Sequence, residues 1–193
     1  MPVLVVATGN PGKIEELAAV IAPAGYTVLG LKSLSDDTPV AETGATFEAN
    51  ARLKAEGYSR RTPHLVLADD SGLEVDALDG APGVLSARYG GPGLTDAERC
   101  AHLLAALSET PDPQRTARFR CVLALAREGR TLEVCDGTVE GTILRTPQGG
   151  LGFGYDPIFF HAPSGKTFGE LSRAEKDAVS HRGAALRKLM EVL

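Results

Sequence analysis

The first residues of the chain predict a strand that passes through a tight turn into a helix. Residues 3–7 form an apolar run, Val-Leu-Val-Val-Ala, that is typical of a short buried strand. After a Thr-Gly-Asn turn, apolar residues recur at helical spacing, at positions 14, 17, 18 and 21. Asn10 is a favoured helix N-cap, and Pro11 suits the first helical position. A strand joined this directly to a helix favours an α/β architecture.

The same turn has the features of a phosphate site. Free backbone N–H groups and the positive end of the helix dipole favour anions at a helix N-terminus. Lys13, in the first helical turn, is unfavourable on dipole grounds unless an anion sits beside it. The segment is not a Walker A loop, because Ile14 follows Lys13 where that motif has the hydroxyl that holds magnesium. The alternative is an ordinary turn between strand and helix, capped by Asn10.

Length and composition indicate a single globular domain, residues 1–193, and the lack of a membrane-spanning run or signal-peptide pattern predicts a cytoplasmic location. The sequence has no apolar run that could span a membrane and no signal-peptide pattern, so no membrane partner is expected. The net charge is −5 without any block of Lys or Arg, which argues against a nucleic-acid partner. Cys100, Cys121 and Cys135 lack metal-ligand spacing, which predicts buried, reduced thiols.

The order of the remaining elements predicts a mixed α/β fold. Short strands are expected at residues 26–31, 65–68, 73–78 and 158–160, and helices at 46–60, 95–107 and 184–193. Two long β-like runs, 117–126 and 131–143, flank Glu128-Gly129-Arg130, which is a plausible hairpin turn. Capping boxes begin at Thr95 and Ser172. No linker separates independent domains.

Acidic residues after the third strand predict a metal site. Asp69-Asp70-Ser71-Gly72 follows an apolar run, at the strand end where α/β proteins place ligands. Two adjacent carboxylates need a cation if they are buried. Mg²⁺ commonly takes one or two carboxylates together with substrate oxygens, and Glu42 is a second candidate ligand. The alternative is a polar turn, since Asp, Ser and Gly all form turns. Glu74 and Asp76 are reserve candidates, expected on an exposed strand.

Two further segments indicate a nucleotide. Phe153 lies between two glycines in a loop, residues 152–157, where a purine could stack on its ring. The alternative is an aromatic side chain that anchors the loop in the core. Ser180-His181-Arg182 opens the last helix, with Lys176 one turn earlier. Arg182 at a helix start is unfavourable by the dipole argument unless an anion binds there, although Ser180 could simply be an N-cap with solvated neighbours.

Taken together, these segments resemble the inosine/xanthosine triphosphate pyrophosphatases, which hydrolyse deaminated purine nucleotides. The matching segments occur in the family's order and span nearly the whole chain. They are residues 8–13, 42–51, 67–73, 80–83, 86–89, 152–157 and 180–183. Each segment is weak evidence alone, and their combination is highly specific.

The resemblance implies an elongated mixed α/β sheet with flanking helices, two lobes around a central substrate cleft, and a homodimer. It implies Mg²⁺-dependent hydrolysis of a purine nucleoside triphosphate to the monophosphate and pyrophosphate. Glu42 and Asp70 would hold the metal, and Asp70 would also be the base for the attacking water. The residues that would bind the substrate are Thr8, Gly9, Asn10, Pro11, Gly12, Lys13, Ser71, Phe153, Gly154, Tyr155, Asp156, Lys176, His181 and Arg182.

Selectivity is expected to depend on position 6 of the purine. Hypoxanthine and xanthine present an acceptor oxygen there, whereas adenine presents a donor amino group, so a donor such as Arg182 would be left unpaired against adenine. The sequence does not reveal the contact that excludes guanine, nor whether Asp69 or Glu48 is also a metal ligand. Two other functions stay open: a related pyrophosphatase for modified pyrimidine or methylated nucleotides, and a nucleotide sensor without turnover.

Overall fold

A computed structural model describes all 193 residues as an α/β protein. The strands are β1 Val3–Val6, β2 Thr27–Gly30, β3 Leu65–Val75, β4 Thr116–Arg127, β5 Arg130–Ile143, β6 Phe159–His161 and β7 Lys166–Thr167. The helices are α1 Pro11–Ile21, α2 Phe47–Ser59, α3 Asp96–Ala106, α4 Arg173–Val179 and α5 His181–Met190. None of these helices is long and apolar enough to cross a membrane.

The seven strands form one mixed sheet in the order β2-β1-β3-β4-β5-β6-β7. Strand β1 pairs in parallel with β2 and with β3, whereas β6 pairs antiparallel with β5 and with β7. Helical segments connect the parallel strands β1, β2 and β3, as parallel pairing requires, whereas a two-residue turn connects β4 to β5 and residues 144–158 connect β5 to β6. This arrangement confirms the mixed α/β fold class expected from the sequence.

The chain divides into two compact units, and several strands contribute residues to both. The first unit consists of residues Met1–Asp70, Cys121–Gly137 and Ala184–Leu193, and the second of Ser71–Arg120 and Thr138–Gly183. The central substrate cleft expected from the resemblance stays a prediction.

The core of the first unit is aliphatic and is built around the N-terminal strand and helix. Its buried residues come from β1, α1, β3, β4, β5 and α5, and include Leu4, Val6, Leu17, Ile21, Leu67, Leu123 and Leu189. Asn10 caps α1 as predicted, because its side-chain oxygen accepts the N–H groups of Gly12 at 2.9 Å and Lys13 at 3.3 Å. The predicted strand, turn and helix are thus confirmed.

The core of the second unit is rich in aromatic side chains. Phe119, Phe159 and Phe168 pack against one another, with ring centroids 4.5 to 5.8 Å apart. Both predicted capping boxes are present, at the starts of α3 and α4. Arg115 is buried and donates hydrogen bonds to the carbonyls of Leu107, Ile143 and Leu144. Its partners are therefore backbone acceptors rather than a carboxylate.

The prediction for the acidic segment was wrong, because residues 69–72 do not form a turn at the end of a strand. Residues 65–68 and 73–78 were expected as separate strands, but β3 runs without interruption from Leu65 to Val75. Two observations explain why turn-forming residues are extended here. The carboxylates of Asp69 and Asp70 each have a lysine partner, and a Cβ on Gly72 would lie only 2.6 Å from the carbonyl oxygen of Gly83. Tertiary contacts therefore override the local preference.

Smaller differences lie at the element ends. The last helix begins at His181, three residues before the expected start, and β7 was not predicted. No disulfide joins the three cysteines, which are all buried. The long hairpin was predicted correctly, with β4 ending at Arg127 and β5 beginning at Arg130.

The hairpin turn provides a prediction about stability. Glu128 and Gly129 have φ values of +53° and +77°, so both central residues are left-handed, as in a type I′ turn. Glutamate tolerates this conformation poorly, whereas asparagine adopts it readily. We expect Glu128→Asn to raise the free energy of unfolding by about 1 kcal/mol, measured by urea denaturation. Gly129→Ala is the contrasting control: its Cβ would lie 2.6 Å from the Arg60 side chain, so it should destabilise. A Glu128→Asn variant no more stable than the parent would contradict the interpretation.

Candidate functional site

The middle of β3 carries two buried carboxylates with different partners. Asp69 and Asp70 are consecutive on an extended strand, so their side chains leave opposite faces of it. Their exposed fractions are 1% and 7%. A buried carboxylate without a cation would be strongly destabilising, and each of these two has a lysine within ion-pair distance.

The carboxylate of Asp69 anchors the lysine of the N-terminal turn. Its Oδ1 pairs with the Nζ of Lys13, from the first turn of α1, and its Oδ2 accepts from the Cys121 thiol at 3.2 Å. Thr8 supports the same turn, because its hydroxyl accepts the backbone N–H of Asn10 at 3.2 Å. The ammonium group of Lys13 is therefore held at the N-terminus of α1, where the positive end of the helix dipole favours a phosphate.

Asp70 forms a charged cluster with Glu42 and Lys54. The Nζ of Lys54 lies 2.8 Å from Asp70 Oδ1 and 3.1 Å from Glu42 Oε2, and it donates to the Asp69 carbonyl at 2.7 Å. Lys54 comes from α2, and the loop before that helix is fixed by Asn50, whose side-chain oxygen accepts the Gly44 N–H at 2.7 Å. One ammonium group thus holds two carboxylates together.

Sequence reasoning did not include Lys54 among the site residues. Its position one turn after Asn50 on the same helix was visible, and lysine is scarce in this chain, with 6 residues. The pairing itself was not visible, because Asp70 lies 16 residues further along the chain.

Burial and charge in the cluster of Asp70, Glu42 and Lys54 favour proton exchange at the Asp70 carboxylate. Burial raises the pKa of Asp70 to about 6, although Lys54 opposes the shift. Burial alone would lower the pKa of Lys54, but the carboxylates of Asp70, Glu42 and Asp69 outweigh it and raise that pKa. Asp70 Oδ2 is buried without a hydrogen-bond partner. A carboxylate oxygen in this condition is a natural acceptor for a metal ion or a proton.

The donor set fits a magnesium ion better than a metal that needs a full protein cage. Glu42 and Asp70 supply carboxylate oxygens gathered around one positive charge, and Oδ2 of Asp70 needs a partner. No group of three or more His, Cys, Asp or Glu side chains is assembled for a metal. Mg²⁺ is commonly bound by one or two carboxylates with waters and phosphate oxygens completing its shell. Glu48 instead pairs with Arg52 at 2.8 Å on the exposed side of α2.

In the second unit, the buried side chain of Arg182 forms a hydrogen bond with Ser71. Its Nη2 donates to the hydroxyl of Ser71 at 2.9 Å, and the side chain is almost completely buried. The guanidinium carbon lies 5.7 Å from the centroid of the Phe153 ring. The alternative in which Arg182 is a solvated residue at a helix start is therefore wrong.

The glycine loop is organised by Asp156. Its Oδ2 accepts from Lys176 Nζ at 2.6 Å and from the backbone N–H of Phe153 at 2.9 Å. The same ammonium group lies 4.5 Å from the Phe153 centroid. Gly152 has a φ of +76°, and a Cβ at this residue would collide with Asp156 Oδ2, so the loop requires glycine there. Lys176 and Asp156 are both buried.

The neighbouring residues of this loop have structural partners. The Gly154 N–H donates to Asp96 at 2.7 Å, and the Tyr155 hydroxyl donates to the carbonyl of Ser86 at 2.8 Å. Burial raises the pKa of Tyr155 well above its ordinary value. The side chain of Tyr155 thus serves the core, so contact of this residue with a nucleotide would come from its backbone.

His181 begins α5 and is buried, with an exposed fraction of 4%. Its ring stacks on that of Phe119, with centroids 4.8 Å apart and an interplanar angle of 11°. Ser180 supports the helix start, because its hydroxyl accepts the Gly183 N–H at 3.0 Å. The cap was expected, but the burial of both residues that follow it was not.

The structure thus brings predicted site residues together in two groups, one in each unit, and adds Lys54 and Asp69 to the first. The first contains Lys13, Asp69, Asp70, Glu42 and Lys54. The second is formed by Ser71, Phe153, Asp156, Lys176 and Arg182. The reserve carboxylates belong to neither, because Asp76 pairs with Arg118 at 2.9 Å and Glu74 lies 3.9 Å from the same guanidinium group.

Comparison with known proteins gives concordant matches over the full chain. The model of the Ham1 family matches residues 4–192. A dITP/XTP pyrophosphatase of Geobacillus kaustophilus is 51% identical over 191 residues, covering 99% of this chain and 94% of the relative. Its counterpart in Escherichia coli K12 is 48% identical over 195 residues, covering 100% and 98%. Among solved structures, a HAM1 protein from Coxiella burnetii has a TM-score of 0.88 at 42% identity, covering 100% of this chain and 98% of its own.

Proposed function

The chain belongs to the Ham1 family, and we infer that it hydrolyses deaminated purine nucleoside triphosphates such as dITP and XTP. The products are the nucleoside monophosphate and pyrophosphate. The observation that carries this function is Asp70, a buried carboxylate that has one oxygen without a hydrogen-bond partner, a lysine at 2.8 Å and a pKa raised to about 6. Hydrolysis by water needs such a base, and no covalent nucleophile is required.

The metal requirement is part of the proposal. Glu42 and Asp70 would hold Mg²⁺, which when bound would neutralise charge on the phosphate oxygens. Support comes from the convergence of both carboxylates on the Lys54 ammonium group, which marks a place that favours positive charge.

Asp70 would act as the general base. Its carboxylate takes a proton from water while the water oxygen forms a bond to the α-phosphorus. The bond between that phosphorus and the bridging oxygen breaks, and pyrophosphate leaves with the electron pair. A base with a pKa of about 6 is mostly deprotonated at neutral pH and still basic enough to accept a proton. Lys54 fixes the orientation of the carboxylate through its contact with Oδ1.

The N-terminal turn, residues 8–13, would bind the triphosphate. The Asn10 side chain accepts the N–H groups of Gly12 and Lys13, so the phosphate would meet mainly the Lys13 ammonium group and the positive end of the helix dipole. Asp69 keeps Lys13 in place and partly neutralises it, which favours release of the pyrophosphate product.

The second group of site residues, which includes Phe153, Lys176 and Arg182, would bind the nucleoside. Phe153 offers a ring for base stacking, Lys176 and Arg182 supply donors close to that ring, and His181 precedes Arg182 in the chain. Because Arg182 is buried, a base that presents an amino group instead of the 6-oxo acceptor would leave a buried donor unpaired. This chemistry accounts for a preference for hypoxanthine and xanthine over adenine.

We also propose that the protein acts as a homodimer in the cytoplasm. Two plausible contact surfaces are the loop of residues 80–93 and the hairpin of residues 117–143, and each carries an exposed leucine, Leu85 with 57% exposure and Leu132 with 55%. Sedimentation analysis of the purified protein would test the assembly. The cytoplasmic location stays a prediction from the sequence.

Binding of magnesium should depend on pH through Asp70. In the metal-free folded protein its pKa is about 6, whereas an unfolded aspartate titrates near ~3.9. The charged form therefore costs the folded state stability above pH ~6, and this cost disappears as the pH falls from ~6 to ~4. Protonation also removes the metal ligand. We expect Mg²⁺ to raise the melting temperature at pH 7.5 and to have little effect at pH 5.

Differential scanning fluorimetry at the two pH values would measure this effect. Asp70→Asn is the matched control, since it should abolish the Mg²⁺-dependent shift at both. An equal shift at pH 5 and pH 7.5 in the parent protein would exclude Asp70 as the ligand that titrates.

A substrate panel tests the proposed function. Pyrophosphate release is measured from ITP, XTP, GTP and ATP, each with Mg²⁺ and with EDTA. The proposal predicts fast, metal-dependent release from ITP and XTP and little from ATP and GTP. Preferential turnover of modified pyrimidine or methylated nucleotides would favour the related pyrophosphatase. Tight binding of ITP without any turnover would favour the sensor.

A further inference from the structure

Three rings of the second unit form a nearly parallel column that ends at His181. Phe168 and Phe119 lie 5.8 Å apart between centroids with an interplanar angle of 10°. Phe119 and His181 follow at 4.8 Å and 11°. Phe119 is thus the middle member of the column and the ring in contact with the imidazole.

Phe119 is itself held firmly in place. It lies on β4 with an exposed fraction of 6%, and a third ring, that of Phe159, packs against it at 4.5 Å and 49°. Phe159 and Phe168 are completely buried. A ring enclosed in this way has little rotational freedom, so it can impose its plane on a stacked neighbour.

The backbone of His181 is fixed as well, which leaves the ring torsion as its main freedom. The Ser180 cap sets the start of α5 through the contact with the Gly183 N–H at 3.0 Å. The χ2 torsion of histidine is broad in the absence of packing. A hydrogen bond from an imidazole nitrogen weakens steeply as its angle departs from linearity, so control of this torsion matters for recognition.

We propose that Phe119 is a positioning residue for base selectivity, which fixes the imidazole plane of His181 so that a ring nitrogen meets the purine edge in one direction. This inference rests on the proposed function, in which His181 and Arg182 recognise the base. Phe119 is buried and would act through His181, and it belongs to none of the motifs seen in the sequence.

The test compares Phe119→Leu with Phe159→Leu. Both variants lose one ring of the same buried cluster, but only the first loses the ring stacked on His181. The measured quantity is kcat/KM for ITP divided by kcat/KM for ATP. We expect Phe119→Leu to lower this ratio by about three- to tenfold, as the loss of one aromatic pair would. Phe159→Leu should lower stability and change the ratio much less, because the stack of Phe119 on His181 remains.

A double-mutant cycle shows whether Phe119 acts through His181. In a His181→Ala background, Phe119→Leu should cause no further change in the ratio. The proton NMR signals of the His181 ring give an independent readout: ring-current shifts from Phe119 should disappear in Phe119→Leu and persist in Phe159→Leu. Phe119→Met, which fills similar volume without a ring, replaces Phe119→Leu if that variant does not fold.

Several results would overturn the inference. These are an unchanged ratio in Phe119→Leu, an equal fall in Phe159→Leu, or a further fall in the His181→Ala background. Failure of the proposed function is seen separately, as absence of ITP turnover by the parent protein. In that case Phe119→Leu and Phe159→Leu are compared by the ratio of the dissociation constants for ITP and ATP. The same three outcomes in that ratio would overturn the positioning role of Phe119.

Discussion

Asp70→Asn is expected to lower kcat for ITP by about 10²–10⁴-fold, the usual contribution of a general base. Asparagine has nearly the same shape, and its side-chain oxygen can still accept from Lys54, which lies 2.8 Å from Asp70 Oδ1. The amide cannot take a proton from water, and it is a poorer ligand for Mg²⁺. The loss should therefore appear in turnover while the fold and most of the nucleotide affinity persist.

Single-turnover kinetics and equilibrium binding of ITP would separate these effects. Asp69→Asn is the matched control, since it changes a neighbouring buried carboxylate whose partner is Lys13 instead. We expect Asp69→Asn to act mainly on KM, because Lys13 would then be poorly placed for the triphosphate. Wild-type kcat in Asp70→Asn would show that another group is the base.

Arg182→Ala is expected to lower the preference for ITP over ATP by about 10- to 100-fold. A hydrogen bond to a charged donor contributes ~1.5–3 kcal/mol, and this energy is available only to a base with a 6-oxo acceptor. In the free protein the guanidinium group is buried and donates to Ser71 at 2.9 Å. Removing it deprives ITP of a partner and ends the penalty against adenine.

The ratio of kcat/KM values for ITP and ATP measures this effect. Arg115→Met provides the control, because Arg115 is an equally buried arginine whose donors all go to backbone carbonyls. It should lose stability and keep the preference. If Arg182→Ala selects ITP as strongly as the parent protein, base recognition lies elsewhere.

The elements that the sequence predicted best are those with local causes. The cap at Asn10, the capping boxes and the turn at Glu128-Gly129 depend on residues within a few positions of one another. Hydrophobic periodicity likewise placed α2 and the β4–β5 hairpin within one residue of their observed ends. Local propensity and apolar pattern agree in these segments, so no distant contact is needed to predict them.

The parts that escaped prediction depend on contacts between distant residues. Asp-Asp-Ser-Gly has the composition of a turn, and it is extended because Lys13 and Lys54 neutralise its carboxylates from two different helices. The role of Lys54 in the site could not be read from its own segment for the same reason. The motif resemblance correctly gave the family. It could not show that Tyr155 differs from its neighbours in the loop, because the hydroxyl of Tyr155 forms a hydrogen bond inside the core.

The most direct test of the central claim is the identity of the products. Phosphorus-31 NMR of dITP mixed with the protein and Mg²⁺ distinguishes attack at the α-phosphorus from attack at the γ-phosphorus. Hydrolysis directed by Asp70 at the α-phosphorus predicts that the monophosphate and pyrophosphate signals grow with intensities in the ratio of one to two phosphorus atoms, with no diphosphate or orthophosphate. Formation of dIDP and orthophosphate, or an unchanged dITP spectrum, would contradict it.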